Sequence, residues 1–171
     1  MKRHHQSWGR YPRVEQEVVR LSSRHENLTL DSIDGKTALP RGNGRSYGDS
    51  CLNDGGILID ARGLDHFIAF DSTTGVLRCE AGVLLADILK LVVPKGWFVA
   101  ATPGTQLITV GGAIANDVHG KAHHQDGTFG QHVRCFELLR SDGSRFLCSP
   151  SENPEWYRAT IGGLGLTGVI T

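Results

Sequence analysis

The apolar positions of the chain fall in short runs separated by polar and glycine-rich segments, which predicts a mixture of strands and helices. Runs typical of strands cover Glu15–Leu21, Lys36–Leu39 and Gly56–Asp60, and a short helix is predicted over Arg24–Ile33. From Leu84 to Val93 apolar residues recur at helical spacing, just before a proline and a glycine that act as stop signals. This stretch predicts an amphipathic helix whose apolar stripe faces the core.

The second half of the chain has elements predicted by the same rules, with a long interruption before them. Ala100–Gly130 shows little periodicity and is expected to be an irregular binding region. The last strand begins at Val169 and is cut short at Thr171, so we expect the chain to be a fragment. The other elements are the hairpin strands Phe67–Asp71 and Val76–Glu80, the hairpin strands Val133–Leu139 and Ser144–Leu147, and the helix Glu155–Thr160.

Composition and charge limit the possible classes of protein. With 39% hydrophobic and 21% charged residues, the chain suits a compact soluble domain that has a core. Eighteen basic residues balance eighteen acidic ones, so any anion site must be local and no nucleic-acid partner is expected. Glycine accounts for 22 residues, about twice the average usage of roughly 7%, and shows no repeat period. Many backbone positions therefore need conformational freedom.

The cysteines and the amino terminus bear on the compartment. Four widely spaced cysteines without a CxxC pair, and a start without an apolar signal-peptide core, indicate a reduced cytoplasmic compartment. No apolar run approaches the roughly 20 residues needed to span a bilayer. We expect a cytoplasmic protein, with any peripheral attachment to the inner face of the membrane made by residues outside this chain.

Two glycine-rich segments predict a binding site for an extended ligand. In Gly42–Asp49, residues without a Cβ allow consecutive backbone N–H groups to converge on a phosphate, and Ser46 adds a hydroxyl donor. By itself this segment would more often be an ordinary turn. Pro103–Thr105 and Thr109–Asn116 offer a second run of backbone donors beside small side chains, suited to a flat ring. A dinucleotide explains both segments with one molecule.

Gly163–Gly168 formally matches the dinucleotide fingerprint GxGxxG. That fingerprint requires a strand before it and a helix after it within a βαβ unit. Here a predicted helix precedes the segment and a predicted strand follows it. A nicotinamide enzyme is therefore not predicted.

Five motifs occur in an order that resembles one family of flavoproteins. They are Arg41–Asp49, Pro103–Thr105, Val110–Ala115, His119–Lys121 and Gly165–Gly168. Together they resemble the FAD-binding domain of the vanillyl-alcohol oxidase and p-cresol methylhydroxylase (PCMH-type) superfamily, and within it the decaprenylphosphoryl-β-D-ribose oxidases. The resemblance runs from about Trp8 to Thr171. It implies an α+β domain of two lobes, residues 1–63 and 64–171, with FAD between them and a substrate domain outside this chain.

The resemblance also implies which residues meet the cofactor and the substrate. His119 and Lys121 are expected on the substrate side of the flavin, where Lys121 could stabilise negative charge and His119 could orient the ring or a substrate hydroxyl. The residues expected on FAD are Pro40, Arg41, Gly42, Asn43, Gly44, Arg45, Ser46, Tyr47, Gly48, Asp49 and Ser50 at the pyrophosphate, Gly104, Thr109, Val110, Gly111 and Gly112 along the cofactor, Asn116, Asp117, Val118 and His119 at the flavin, and Ile170 on the adenine side.

The attachment of FAD is expected to be noncovalent. Arg45 stands where covalently linked members of the superfamily carry a histidine, and no cysteine lies between Ala101 and Gly112 for a second link. In one respect the sequence departs from the resemblance. The mycobacterial members carry a cysteine where this chain has Asn116, which changes local packing without affecting the fold assignment.

The resemblance implies an FAD-dependent oxidoreductase that converts a secondary alcohol of a sugar to a ketone. The expected substrate is a lipid-linked sugar, a polyprenylphosphoryl ribose oxidised at its 2'-hydroxyl, and a short-chain reductase is the expected partner. One alternative is a flavin-binding module without turnover of its own. Another is a metal site at Asp117, His119, His123 and His124, because His119 and His123 would face one ligand on a helix. Gly120 argues against that helix, and no metal ligand is predicted.

The aromatic residues near the start of the chain have two interpretations. Trp8 and Tyr11 could pack on a neighbouring domain, which is slightly favoured, or could cover the first lobe. Trp97 and Trp156 adjoin apolar segments and are predicted to be core residues.

Overall fold

A small parallel sheet forms the first part of the fold. The computed structural model describes residues 5–26, 28 and 35–171. The sheet has the order β1 (Glu17–Arg20), β3 (Ile57–Asp60), β2 (Ala38–Arg41), and all four residues of the central strand are buried. The three predicted strands are thereby confirmed. The helix predicted over Arg24–Ile33 falls mostly outside the described residues.

A hairpin and a helix follow the parallel sheet. Strands β4 (Phe67–Asp71) and β5 (Val76–Cys79) pair antiparallel, and helix α1 (Leu85–Val92) comes next. The helix buries one stripe of apolar residues and ends in a short 3₁₀ turn, after which Gly96 adopts a left-handed conformation. The predictions for this region are confirmed.

A second, antiparallel sheet closes the other side of the molecule. Its order is β7 (Arg145–Cys148), β6 (Phe136–Leu139), β8 (Val169–Ile170), and helix α4 (Pro154–Thr160) precedes β8. The predicted hairpin and helix are confirmed. Because a helix precedes and a strand follows the GxGxxG segment, its context differs from the one that the dinucleotide fingerprint requires.

The region predicted to be irregular contains regular structure. Helices α2 (Val110–Ala115) and α3 (His123–Asp126) and a 3₁₀ turn at Phe129–His132 lie within it. The expectation of irregular backbone is wrong for α2, because Thr109 caps that helix with its side chain and the helix buries Ala113 and Ile114. Among the described residues, no helix combines the length and the apolar character needed to cross a membrane.

Three groups of buried side chains join these elements. In the first group, Leu21, Ile59 and Leu64 meet Leu139 and Val169 of the antiparallel sheet. A second group packs α2 against the antiparallel sheet, and a third packs α1 against α2. Since the first group contains residues from both sides of the predicted boundary near residue 64, the two-lobe division stays a prediction.

Asp60 anchors the carboxyl end of the central strand. Its side chain is 1% exposed and accepts hydrogen bonds from Arg62 Nη2 at 2.6 Å and Arg62 Nε at 2.8 Å, and His5 Nε2 lies 3.2 Å away. Burial alone would raise the pKa of Asp60, but the hydrogen bonds from Arg62 and His5 outweigh it and lower the pKa to about 2. Asp60 is the register partner of Arg41. The ion pair therefore lies where β2 enters the first glycine-rich segment.

We expect Asp60→Asn to lower the free energy of unfolding at neutral pH by about 2 to 3 kcal/mol, because it leaves Arg62 and His5 without a buried carboxylate. A carboxylate with a depressed pKa stabilises the fold above its unfolded pKa. The wild-type protein should therefore lose the stability contributed by the ionised Asp60 carboxylate as the pH falls from about 4 towards 2. The variant has no carboxylate at this position and should not show this loss. Urea unfolding across this pH range measures both effects. The exposed Asp54→Asn serves as control and should stay within about 0.5 kcal/mol of wild type; equal stability of the two variants would contradict the prediction.

Candidate functional site

A cleft of about 590 Å³ runs between the two glycine-rich segments. This volume lies within the range of roughly 300 to 1,000 Å³ found for small-molecule sites. The cleft brings together three parts of the chain that are far apart in sequence: the loop after β2, the segment around α2, and the segment before β8. The predicted cofactor residues that line it are Pro40, Arg41, Gly42, Asn43, Gly44, Arg45, Ser46, Tyr47, Ser50, Gly104, Thr109, Gly111, Gly112, Asn116, Val118 and Ile170.

Six predicted site residues lie outside the lining of the cleft. Gly48 and Asp49 are exposed on the loop after β2, and Val110 packs against two of the buried groups. The Asp117 carboxylate accepts a hydrogen bond of 2.8 Å from the Gly130 N–H, which gives it a structural contact. The remaining two, His119 and Lys121, are exposed on the turn that follows Val118.

The backbone N–H groups of the first glycine-rich segment are free to bind a ligand. From Gly42 to Gly48 they donate to no acceptor in the described part of the chain. Gly44 and Gly48 adopt φ values of +61° and +60°, which turn the backbone in a way that other residues rarely allow. Successive free N–H groups of this kind form a nest for an anion. Gly42–Gly48, called the glycine loop below, therefore has the free donors that the predicted anion site requires, and its binding of an anion stays a prediction.

Two arginines place positive charge at the glycine loop. Arg41 is 7% exposed, and burial lowers its pKa from the usual value of a guanidinium. The Nε atoms of Arg41 and Arg45 are buried and have no hydrogen-bond partner among the described residues. Asp60, an acid near Arg41, is already bonded to Arg62. The charge of these arginines is therefore available to stabilise an anion.

The second glycine-rich segment departs from its prediction. The N–H groups of Val110, Gly111 and Gly112 donate to Val83 O at 2.9 Å, Ala81 O at 2.8 Å and Thr109 Oγ1 at 3.1 Å. The predicted run of free donors is wrong for Val110–Gly112, because α2 begins at this point and its first N–H groups are satisfied within the fold. The segment instead contributes a wall of small residues.

This small-residue wall consists of Ala81, Gly111, Gly112 and Ala115. A Cβ added to Gly111 would lie 3.0 Å from the Ala81 Cβ, so the wall is packed closely behind its surface. Small residues allow a flat ring to approach the main chain. The wall of small residues is compatible with the predicted approach of a flat ring. The free N–H donors predicted for Val110–Gly112 are not found.

The third wall of the cleft includes Ile170, which was predicted to act through its backbone. Ile170 is paired with Leu138 on the edge strand β8, and the Thr171 N–H donates to Glu137 O at 3.0 Å. Hydrogen-bonded and non-hydrogen-bonded pairs alternate along an antiparallel ladder. The Ile170 pair is therefore of the non-hydrogen-bonded type, and its N–H and C=O point away from β6 towards the free edge.

Several residues of the cleft were missed by sequence reasoning. Gly165 and Gly168 belonged to a recognised motif, so their glycine spacing was a usable signal. Ala61 and Ala81 carried no signal, because small apolar residues are common throughout a core. Pro103, Thr105 and Ala115 lay within predicted segments but were not named as cofactor residues. The other missed residues are Trp8, Cys51, Ala61, Ala81, Ile108, Leu164, Gly165, Gly168 and Val169.

The histidines near the cleft form a loose group at its rim. The ring of His119 lies 4.9 Å from the ring of His123, and the His123 Nδ1 lies 3.0 Å from Gly120 O. His119 precedes α3, whereas His123 begins it, so the two do not share one helix face. Within residues 5–26, 28 and 35–171, no group of three or more acidic, histidine or cysteine residues is placed to hold a metal ion.

We expect Gly44→Ala to destabilise the protein more than Gly48→Ala does, although both glycines have nearly the same φ. Either alanine would cost about 1 to 2 kcal/mol for the left-handed conformation. At Gly44 the new Cβ would also overlap Arg41 Nη2 and lie 2.9 Å from the backbone oxygen of Gln6, whereas at Gly48 it would meet nothing within 4 Å. This crowding should add about 1 to 3 kcal/mol to the loss in free energy of unfolding. Urea unfolding of both variants measures the difference, and equal losses would show that the loop tolerates a Cβ at Gly44.

Comparison with known proteins agrees with this geometry. Residues 16–149 match the family model described as FAD binding domain. The chain is 45% identical over 137 residues to the decaprenylphosphoryl-beta-D-ribose oxidase of Mycolicibacterium smegmatis, covering 80% of this chain and 30% of that protein. It is 29% identical over 131 residues to cytokinin dehydrogenase 2 of Arabidopsis thaliana, covering 77% and 26%, and 26% identical over 164 residues to L-gulonolactone oxidase of Mus musculus, covering 96% and 37%. In each case the chain spans well under half of the relative's length. This chain belongs to the FAD binding domain family, and its cofactor is FAD.

Proposed function

We propose that the chain holds FAD noncovalently in the cleft, with the pyrophosphate at the glycine loop and the flavin at the small-residue wall. The observation that carries this proposal is the run of unpaired backbone N–H groups from Gly42 to Gly48. A pyrophosphate offers oxygen acceptors and negative charge to such a run of donors. Arg41 and Arg45 add charge that no described acid neutralises fully. These residues fit the diphosphate end of a dinucleotide.

The noncovalent attachment follows from the side chains in reach. Arg45 follows the glycine at position 44, and a guanidinium is not a nucleophile that could form a bond to the flavin. Cys51 lines the cleft, but burial raises the pKa of its thiol, which keeps it protonated and unreactive. We further propose that FAD lies between the lobes 1–63 and 64–171, since the glycine loop comes from one and the small-residue wall from the other.

For the full-length protein we propose the oxidation of a secondary alcohol on a sugar, namely the 2'-hydroxyl of a polyprenylphosphoryl ribose. Support comes from the 45% identity to a relative named decaprenylphosphoryl-beta-D-ribose oxidase. FAD, when bound, accepts the hydride that leaves the carbinol carbon. The contribution of this chain is to bind the cofactor, to orient it, and to supply groups at the rim where a substrate would enter.

Two residues at that rim suit a polar substrate. His119 follows Val118, which lines the cleft, and it forms a β-bridge with Thr128. This bridge fixes the backbone that carries the imidazole, which could orient a hydroxyl. Lys121 is exposed two residues later, where its ammonium would stabilise negative charge on a substrate oxygen or phosphate. We propose these roles for the complete enzyme.

The wider setting is also a proposal. A lipid-linked substrate would be selected by a domain outside this chain, and the keto product requires a reductase, for which a short-chain reductase is the proposed partner. A cytoplasmic location, at the inner face of the membrane in the full-length protein, fits a substrate of this kind. The balanced charge of 18 basic and 18 acidic residues is compatible with this setting.

We expect the purified chain to bind FAD and to release it on acid denaturation. Bound flavin should absorb between about 300 and 550 nm, and because no covalent link is expected, the yellow chromophore should stay in solution when the protein precipitates. Absorbance before and after acid treatment measures this, with added FAD where the protein is purified without colour. A chromophore that stays with the precipitate would contradict noncovalent attachment. A chain that binds no added FAD but holds stoichiometric zinc would contradict the flavin site altogether.

In the full-length protein, we expect Lys121→Met to lower kcat/KM for polyprenylphosphoryl ribose by about 10- to 100-fold, because it removes a charge that stabilises developing negative charge. FAD content should not change, since Lys121 does not line the cleft. Lys90→Met, on the exposed face of α1, is the matched control and should retain wild-type kinetics. Equal kcat/KM values for the two variants would remove Lys121 from the proposed mechanism.

A further inference from the structure

The segment His5–Trp8, called the N-terminal strap, lies against the glycine loop although it precedes residues 16–149 that match the family. Trp8 is 55% exposed, so it is not a core residue of the described chain. Three contacts join the strap to the loop: the Trp8 N–H donates to Ser46 O at 3.2 Å, Arg41 Nη2 donates to Gln6 O at 2.8 Å, and the Arg45 guanidinium lies 5.2 Å from the centroid of the Trp8 ring. The strap thus contacts Ser46 and Arg45 of the glycine loop and Arg41 at the end of β2.

The strap is itself held by the parallel sheet. The His5 Nε2 lies 3.2 Å from the buried carboxylate of Asp60, and Gln16 Nε2 donates to His5 O at 2.8 Å. Ser7 is 3% exposed. Asp60 ends β3 and Gln16 immediately precedes β1, so both anchors lie outside the glycine loop. The strap can therefore serve as a fixed support for it.

The fit between strap and loop depends on Gly44. A Cβ at this position would lie 2.9 Å from Gln6 O and would overlap the Arg41 guanidinium that Gln6 holds. A loop whose backbone N–H groups have no acceptors lacks the hydrogen bonds that would hold it in one conformation. Ordering such a loop only when a ligand binds reduces affinity, whereas ordering it beforehand preserves affinity. The strap supplies contacts that order the loop in the absence of a ligand.

We propose that the N-terminal strap is a positioning element for the cofactor phosphates, in which Trp8 holds the Arg45 guanidinium at the cleft. Trp8 and Arg45 both line the cleft and also a second pocket behind the loop, so the pair lies at the wall that separates the two. A guanidinium placed over an aromatic face is attracted to the ring, which limits its motion. The proposal rests on the proposed function, in which FAD occupies the cleft.

The test measures the binding of three probes to the whole chain and its variants. ADP carries a diphosphate without the flavin, and riboflavin carries the flavin ring without phosphate. Trp8→Ala should raise the Kd for FAD and for ADP by about 3- to 10-fold and leave the Kd for riboflavin unchanged. Trp8→Phe keeps an aromatic face and should stay within about 2-fold of wild type. Phe98→Ala removes another exposed aromatic side chain, outside the cleft lining, and should change none of the three.

A second variant tests the contact between Trp8 and Arg45 by changing the residue on the glycine loop. Arg45→Met removes the charge and should weaken ADP binding as well. If Trp8 acts through Arg45, the double variant should bind ADP no more weakly than Arg45→Met alone. The thermal midpoint of the cofactor-free protein should change little in Trp8→Ala. Should Trp8→Ala fail to fold, Trp8→Gln, which also removes the aromatic face, is measured with and without Arg45→Met to give the same coupling.

The outcomes separate this proposal from the proposed function. A wild-type chain that binds FAD and ADP, beside a Trp8→Ala variant that binds both equally well, overturns the strap and leaves the FAD site standing. Loss of riboflavin binding equal to the loss of ADP binding also overturns it, because the effect would then not be specific to the phosphates. A wild-type chain that binds none of the probes overturns the proposed function, and the strap with it.

Discussion

The cleft depends on one close contact between its two main walls. Gly42 lies so near Thr109 that a Cβ would overlap the threonine Oγ1, and Asn43 Nδ2 donates to Leu107 O at 2.8 Å just beside it. The same Thr109 is 2% exposed and caps α2 through the Gly112 N–H. The absence of a side chain at Gly42 therefore lets the glycine loop and the small-residue wall meet on one buried threonine. The distance between the two walls is set at this point.

The second constraint is electrostatic and acts locally. The chain has no formal net charge, yet Arg41 and Arg45 are placed at the glycine loop with buried nitrogen atoms that find no described partner. Asp60 fixes this arrangement indirectly, since it is bonded to Arg62 and lies in register with Arg41. Backbone donors supply the geometry of an anion site and the arginines supply its charge. The small-residue wall differs from the glycine loop, because the N–H groups of Gly111 and Gly112 already donate to Ala81 O and Thr109 Oγ1.

The proposed function follows from this division of the cleft. A dinucleotide has a charged, flexible diphosphate at its centre and a flat ring at one end, and we propose that the two walls match these parts separately. In this proposal the groups that would act on a substrate, His119 and Lys121, follow Val118 in the chain and are not among the residues that line the cleft. The residues that line the cleft would bind and orient the cofactor.

The sequence by itself determined the local elements and the position of the glycine loop. Apolar runs and turn residues were enough for the strands around Ile57–Asp60 and for helix α1, because burial periodicity and glycine or proline stops are local properties. Only the tertiary structure decided that Val110–Gly112 would use their N–H groups internally, because the acceptors Val83 and Ala81 lie far away in sequence. It also decided that Trp8 would reach Arg45 and that Ala61 and Ala81 would line the cleft. A contact between distant residues depends on how the whole chain packs, and no single segment carries that information.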